Sequence, residues 1–402
     1  MTQHVTQLSA QRSHLALRVL GLAYFALGTA SLSVVGLGTL ISRSLHVTPA
    51  QTGLLVTAFA LTFAVCALLA QSLVGHLPRK TLLLGGLVVL VLGLLLGSVA
   101  QSFTALLLTR VLSAVGASVV GPVASAIGSL LVPQDERPRA LATVFAGFTL
   151  ASVLGVPLAS ALGPMVGWRG TLLSIAGLAL VATVLLWVLV PRVEAGQRVT
   201  AQAYRQALTV RGVRPALLTT LLQMGAPFLL FAVIGVYLGT RFHSPAPWIS
   251  ASLLAFGAAG VLGNALIGTF SRRLSNGQIL RLSLGGSALS VTLLLIAPAQ
   301  PWLGLLLFAV WSFFVNFFTA PQQARLIALN ETNRGLMLAL NASVLYLGIS
   351  LGSWLGSVLL PVIGVKWLAL PALGMVLITL ILNRPVRVAA FSKPKTRSAQ
   401  KS

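Results

Sequence analysis

Long apolar runs alternate with short polar punctuation along the whole chain. Bounded by charges and turn residues, twelve runs stand out: residues 15–41, 51–74, 81–99, 103–131, 140–162, 170–190, 216–240, 248–270, 279–297, 302–326, 335–360 and 367–382. A bilayer-crossing helix takes about 20 apolar residues, and these runs sit near or above that length. Runs that exceed the minimum tilt or protrude. The pattern predicts an all-α polytopic membrane protein with twelve transmembrane helices. Residues 1–13 are polar and no cleavage-type segment follows, so the first run reads as a retained span.

Composition agrees. Of 402 residues, 57% are hydrophobic and 8% charged, with mean hydropathy +0.96. A soluble domain carries roughly 25% charged residues. The formal charge of +23 raises the question of nucleic acid. Its cations punctuate loops rather than mark a foldable basic domain, so no nucleic-acid partner is expected. Cys66 is the only cysteine, which excludes an intrachain disulfide. The five histidines form no metal-ligand spacing. No Gly-rich phosphate loop with its Lys-Ser/Thr is present, so ATP hydrolysis and any other cofactor chemistry are not expected.

Charge position sets orientation. With the N-terminus inside, Arg43, Arg169, Arg241 and Lys366 fall outside, Arg110 falls within a span, and the other 22 of the 27 basic residues fall inside. Both termini are therefore expected in the cytoplasm of a cell-membrane protein. The expected organisation is a six-helix half over 1–190, a cytoplasmic linker over 191–215, a second six-helix half over 216–382 and a basic tail over 383–402. Within the linker, Ala201, Tyr204 and Leu208 share a helical face, which reads as a short helix lying on anionic headgroups.

The halves repeat weakly. Gly155-Val-Pro-Leu-Ala-Ser-Ala-Leu-Gly163 matches Gly348-Ile-Ser-Leu-Gly-Ser-Trp-Leu-Gly356. Glu136-Arg-Pro-Arg139-Ala-Leu matches Glu331-Thr-Asn-Arg334-Gly-Leu, and Gly85-Gly86 recurs as Gly285-Gly286. Three matches in register argue for a six-plus-six duplication.

A parallel six-plus-six repeat with a basic middle loop resembles the major facilitator superfamily, and in particular its twelve-span drug, sugar and nucleoside efflux branch. That branch carries G-x-L-A-D-R-x-G-R-[RK] between spans 2 and 3. Here the stretch is Gln71-Ser-Leu-Val-Gly-His-Leu-Pro-Arg-Lys80, which keeps Arg79 and Lys80 but has Gly75 in the acid's place and Pro78 in the second glycine's. The span 4 motif R-x-x-q-G appears as Arg110-Val-Leu-Ser-Ala-Val-Gly. The exporter motif of span 5 appears as the variant Gly155-Val-Pro157. The resemblance implies transport by alternating access, spans 2, 5, 8 and 11 between the halves, and a span 4 arginine linked to proton coupling.

Several residues carry the expected chemistry. Gly155, Ala159 and Gly163, and Gly348, Gly352 and Gly356, clear a helix face for close backbone approach. They read as packing faces, or as smooth surfaces on which the halves rock. Pro157 removes an i−4 hydrogen bond and is expected to kink span 5. Arg110 costs about 2.5–3.5 kcal/mol to insert on translocon scales and needs a cavity or a partner. Tyr24, Gln223, Asn264, Asn316, Asn341 and Tyr346 are the polar candidates for a solute pathway, or else bonds between helices. Phe313, Phe314, Phe317 and Phe318 read as core or lipid-facing.

The four acids, Asp135, Glu136, Glu194 and Glu331, all fall in loops on the inside. No span holds a carboxylate whose pKa burial could tune for proton exchange. Facilitated efflux, solute exchange and coupling through a group such as His14 stay open. The expected function is export of small organic solutes (drug-like compounds, sugars or nucleosides) by a monomer in a lipid bilayer. An importer or facilitator on the same fold, or a solute-sensing receptor, are the alternatives; an enzyme lacks the necessary buried groups. The charge split makes a direct prediction. In a Cys66-free background, a cysteine at position 200 should resist an impermeant thiol reagent added from outside and one at position 244 should react. The opposite pattern refutes the topology.

Overall fold

The computed structural model describes residues 10–134, 136–193, 200–330 and 333–383, and these form helices joined by short turns. The basic tail beyond Asn383 and the acids Asp135, Glu194 and Glu331 lie outside the described residues. In chain order the helices are α1 (Ala10–Leu45), α2 (Pro49–Leu73), α3 (Arg79–Ser98), α4 (Phe103–Leu130), α5 (Arg137–Leu150), a π turn (Ala151–Gly155) and α6 (Val156–Leu189). After the short α7 (Ala201–Thr209) come α8 (Val213–Phe231), α9 (Ile234–Arg241), α10 (Ala246–Phe270), α11 (Asn276–Ile296), α12 (Pro301–Phe317), α13 (Thr319–Leu329), α14 (Arg334–Trp367) and α15 (Ala369–Leu382).

Ten helical stretches are long and apolar enough to cross a bilayer. One of them, Arg139–Leu189, is 51 residues long and breaks at Gly167 into spans 5 and 6. The shorter Ala369–Leu382 supplies the twelfth. Spans 7 and 10 are each built from two helices in series, α8 with α9 and α12 with α13. Outward leucines and valines such as Leu61, Val65, Leu69 and Leu73 on α2 stay exposed. Such a surface fits hydrocarbon and would aggregate in water.

Each six-helix set packs on itself with matching neighbours. In the first, α1 lies against α5 and α6, and α3 against α4 and α6. In the second, α8 lies against α14, and α11 against α12 and α15. The duplicated glycines take equivalent partners: Gly86 faces Val119 and the Gly116 carbonyl on α4, and Gly286 faces the Phe314 ring on α12. The two sets meet where α2 runs along α14 and where the π turn and α6 touch α10.

The structure adds a repeat that the sequence reading passed over. Pro164-Met-Val-Gly167-Trp-Arg169 separates spans 5 and 6, and Pro361-Val-Ile-Gly364-Val-Lys366 separates spans 11 and 12. Gly167 has φ 73° and ψ 166°, and Gly364 has φ 73° and ψ 168°. This region is essentially restricted to glycine. Both turns therefore reverse the chain within one residue. Arg169 then ties its turn down, donating to the Ala100 carbonyl at 2.8 Å and lying 4.2 Å over the Trp168 ring.

Two expectations gain detail. At Pro157 the disturbance of span 5 takes the form of a π turn, in which the Val156 N–H donates to the Ala151 carbonyl five residues back, directly before the proline that interrupts the α-helical ladder. The linker helix α7 sets its apolar side on protein rather than on headgroups. Ala207 is buried with Val213, Ala216, Leu326 and Met337, and the Tyr204 hydroxyl reaches the Leu68 carbonyl of α2 at 3.5 Å. Burial pushes the Tyr204 phenol above its ordinary pKa. For labelling of the connection between α9 and α10, Ser244 is buried and its neighbour His243 is exposed, so His243→Cys is the better reporter.

The glycine turns give the second prediction. Gly167→Ala and Gly364→Ala should each destabilise the protein by about 1–3 kcal/mol, the usual cost of forcing a side chain into this region. Gly177→Ala, on an open helical site, should be neutral or stabilising. Thermal unfolding of the detergent-solubilised protein measures all three. Equal melting curves would show that the turns relax freely.

Candidate functional site

Arg110 is the one charge set deep within a described span, and only 2% of it is exposed. It lies on α4 and reaches across to α1, where its two terminal nitrogens donate to the carbonyls of Ala30 and Ser31, both at 2.7 Å. The planar fork suits two neighbouring carbonyls, which a lysine would not bridge in the same way. The guanidinium carbon sits 4.4 Å over the Phe59 ring of α2. Its Nε is buried without a partner. Among the described residues no carboxylate neutralises it.

From Phe59 an aromatic ladder continues. Phe63 stacks on Phe59 at 6.4 Å between centroids, and Tyr346 of α14 stacks on Phe63 at 3.8 Å and 22°. The last step crosses between the two six-helix sets. Alongside it run hydroxyls: Thr57 and Ser353 bond at 2.8 Å, and Ser350 donates to the Thr57 carbonyl at 3.3 Å. Phe59, Phe63, Thr57 and Ser350 escaped sequence reasoning. Their i, i+4 spacing is ordinary for any helix core, and only the pairing of α2 with α14 gives them meaning.

On the other side, α10 meets span 5. A Cβ on Gly257 would collide with the Ser152 carbonyl in the π turn, and Ser160 bonds Ser250 at 3.1 Å. The same faces continue toward the side where α5 begins and α10 ends. There the contact ceases. Phe145 on α5 is 48% exposed, and Asn264 and Gly268 on α10 are exposed. The π turn and α6 keep contact with α10 while α5 parts from it, and that separation is the cleft between α5 and α10. Tyr24 on α1 packs on Phe145 at 5.3 Å and edge-on to Phe148 at 5.9 Å, forming the inner aromatic wall.

The remaining candidates separate cleanly. Gln223 is fully buried and donates to Ser287 at 3.1 Å. Asn341 accepts from Thr220 at 2.9 Å, and Thr220 in turn takes a bond from Gln322 at 3.1 Å. Asn316 donates to the Ser312 carbonyl one turn back and packs against Gly260. Asn316 thus bonds within α12, and Gln223 and Asn341 join helices within the second set. Phe317 and Phe318 are buried in its core, and Phe314 fills the space beside Gly286. Lys80 clamps the end of α6 through the carbonyls of Trp187 and Val190, at 2.7 and 2.5 Å. Arg79 sits half-exposed at the start of α3.

The small-residue faces do not lie between the halves, which corrects the rocking-surface expectation. Gly155 faces Thr29, and Gly163 faces Leu37 and Leu40, all on α1. Gly348, Gly352 and Gly356 face the carbonyls of Leu221, Gly225 and Leu229 on α8. Each stripe seals one half internally. In the second stripe the unsubstituted Cα lets backbone carbonyls approach, and in the first it makes room for the Thr29, Leu37 and Leu40 side chains.

Two duplicated helical sets around a cleft open at one side define a membrane transporter of small solutes. The sequence model of the Major Facilitator Superfamily matches residues 20–329, and the chain belongs to that family. The inner membrane transport protein YdhP of Escherichia coli O157:H7 is 30% identical over 386 residues, covering 94% of this chain and 97% of that protein. A probable sugar efflux transporter of Pasteurella multocida is 27% identical over 389 residues, 93% and 94% of the two chains. Among solved structures, a bacterial homologue of the human lysosomal transporter Spinster, inward-facing and unoccupied, superposes with a TM-score of 0.72 at 15% identity, covering 94% and 97%. The nucleoside transporter NupG gives 0.69 at 14% identity, covering 92% and 98%.

The ladder generates the third prediction. A double-mutant cycle of Phe63→Leu and Tyr346→Leu should return a coupling of about 0.5–1.5 kcal/mol in thermal stability, the usual worth of an aromatic pair. Additive effects would mean that the stack contributes nothing between the halves.

Proposed function

We propose that the protein exports small organic solutes by alternating access, with the side carrying the described chain ends facing the cytoplasm. The observation that carries this is the cleft between α5 and α10, walled by Tyr24, Phe145 and Phe148 and closed at its far end by Gly257 and the Ser160–Ser250 pair. It is the shape of a carrier waiting for solute from the side to which it is open. The arginine distribution supports a cytoplasmic assignment for that side. The span 5 motif around Pro157 and the similarity to a probable sugar efflux transporter support export.

The site is amphipathic: aromatic walls with Asn264 at the mouth. Arg110 holds α4 to α1 and, through Phe59, α2. It is a positioning residue for the cleft rather than a proton carrier, since arginine stays protonated. Coupled antiport needs a group whose proton affinity differs between the two states. The spans offer no carboxylate for that role, so transport is weakly coupled or uncoupled to protons.

Purified protein in vesicles, screened across drugs, sugars and nucleosides with and without a pH gradient, tests this. Collapsing the gradient should change wild-type transport little. Arg110→Ala should abolish or strongly impair transport, because it leaves two α1 carbonyls without their donor and empties the space over Phe59. Robust accumulation driven by a pH gradient alone would overturn the coupling claim.

A further inference from the structure

We infer that the carrier selects solutes by charge, taking organic anions ahead of neutral solutes and excluding organic cations. The inference rests on the transporter reading above and names the substrate class of that same cleft.

Three observations carry it. First, every carboxylate of the chain lies outside the spans, so nothing in the interior can neutralise a cationic solute. Second, the interior holds a fixed cation. Arg110 is buried, uncompensated by any acid among the described residues, and left with an unpartnered Nε. Third, the mouth is cationic. Arg137 and Arg139 flank the start of α5, and Arg272 and Arg273 follow the end of α10, all four exposed. Against these four stand exposed Glu136 and its sequence neighbour Asp135.

The path thus runs from a positive mouth to a positive interior. A cleft lined by one sign of charge raises the local concentration of oppositely charged solutes and repels like ones. A unit cation held about 10 Å from a fixed cation, at an effective dielectric of about 20, is disfavoured roughly 17-fold, and an anion is favoured by the same factor. The aromatic wall of Tyr24, Phe145 and Phe148 attracts cations by about 0.5–1 kcal/mol through its ring faces, and the arginines, at about 1.7 kcal/mol for the single pair about 10 Å apart, outweigh it.

The test uses three probes of one shape: naphthalenesulfonate, the neutral naphthalenesulfonamide and naphthyltrimethylammonium. Entry into vesicles holding the purified full chain is measured at zero membrane potential and corrected for protein-free vesicles. Sulfonate should enter at least about tenfold faster than the quaternary ammonium, with the sulfonamide between them. Arg110→Gln should narrow the anion-to-cation ratio. Because that variant bears on packing, the exposed pair Arg272→Gln and Arg273→Gln serves as a second variant and should narrow it too. Equal or faster entry of the quaternary ammonium overturns the inference. So does entry of none of the three probes, or a ratio unmoved by both variants. These results leave transport of the drug, sugar and nucleoside panel standing; silence across that panel sinks the transporter reading itself.

Discussion

Lipid gives helices no hydrophobic reason to associate, because hydrocarbon solvates leucine as well as a neighbouring helix does. What holds this bundle together is backbone approaching backbone at glycine. Gly348, Gly352 and Gly356 receive three successive carbonyls of α8 along one stripe. Gly147 does the same for the Gly21 carbonyl on α1, Gly116 for Gly86 on α3, and Gly263 for Phe313 on α12. A side chain at any of these would separate the helices by its own thickness and forfeit the dispersion contacts along the whole seam. Glycines at these seams are therefore structural, whereas others such as Gly85 and Gly177 face open space.

This constraint divides the molecule into stiff and soft seams. Within each half the seams are carbonyl-on-glycine and have one geometry. Between the halves, along α2 and α14, they are hydroxyl pairs and a stacked ring pair: Thr57 with Ser353, and Phe63 with Tyr346. Hydroxyl bonds between membrane helices average about 0.6 kcal/mol, and stacked rings slide with little loss of contact. A seam of that kind permits two arrangements of rigid bodies, which alternating access requires. The Gly257 contact with the π turn is the exception. It puts one carbonyl-on-glycine contact at the base of the cleft, beside Pro157, where the helix is already irregular.

Much of the fold was legible because hydrophobic run length and arginine position are local signals. The twelve spans, the duplication and the buried Arg110 needed no neighbours to be read. The polar candidates were less legible. Gln223, Asn316 and Asn341 stand in the sequence only as polar positions; the structure shows each with a bond, to Ser287, Ser312 and Thr220, and leaves the Gln223 Oε1 buried without a partner. Sequence position along a span cannot say which face a side chain takes when the whole helix is apolar and every face looks alike. The same ambiguity left the glycine stripes open between packing faces and a rocking surface, and the structure shows them packing inside each half. The turns at Gly167 and Gly364 were visible as a repeated Pro-x-x-Gly-x-Arg/Lys, but only their backbone angles, positive φ with extended ψ, set them apart, Gly212 being the other described glycine with positive φ.

Arg110 joins the stiff and soft parts. Its fork fixes α4 to α1 inside the first half, and its face rests on Phe59, the first rung of the ladder that ends on Tyr346 in the second half. Any movement that slides Phe63 past Tyr346 changes the packing over the guanidinium. The charge itself cannot respond by losing a proton, so it responds only through what surrounds it. In a carrier with an interior carboxylate, proton binding supplies that change of surroundings. Here no span holds a carboxylate to supply it. The energetic difference between the two arrangements must then come from the solute's own contacts, since a ligand shifts an equilibrium only by its differential affinity for the two states.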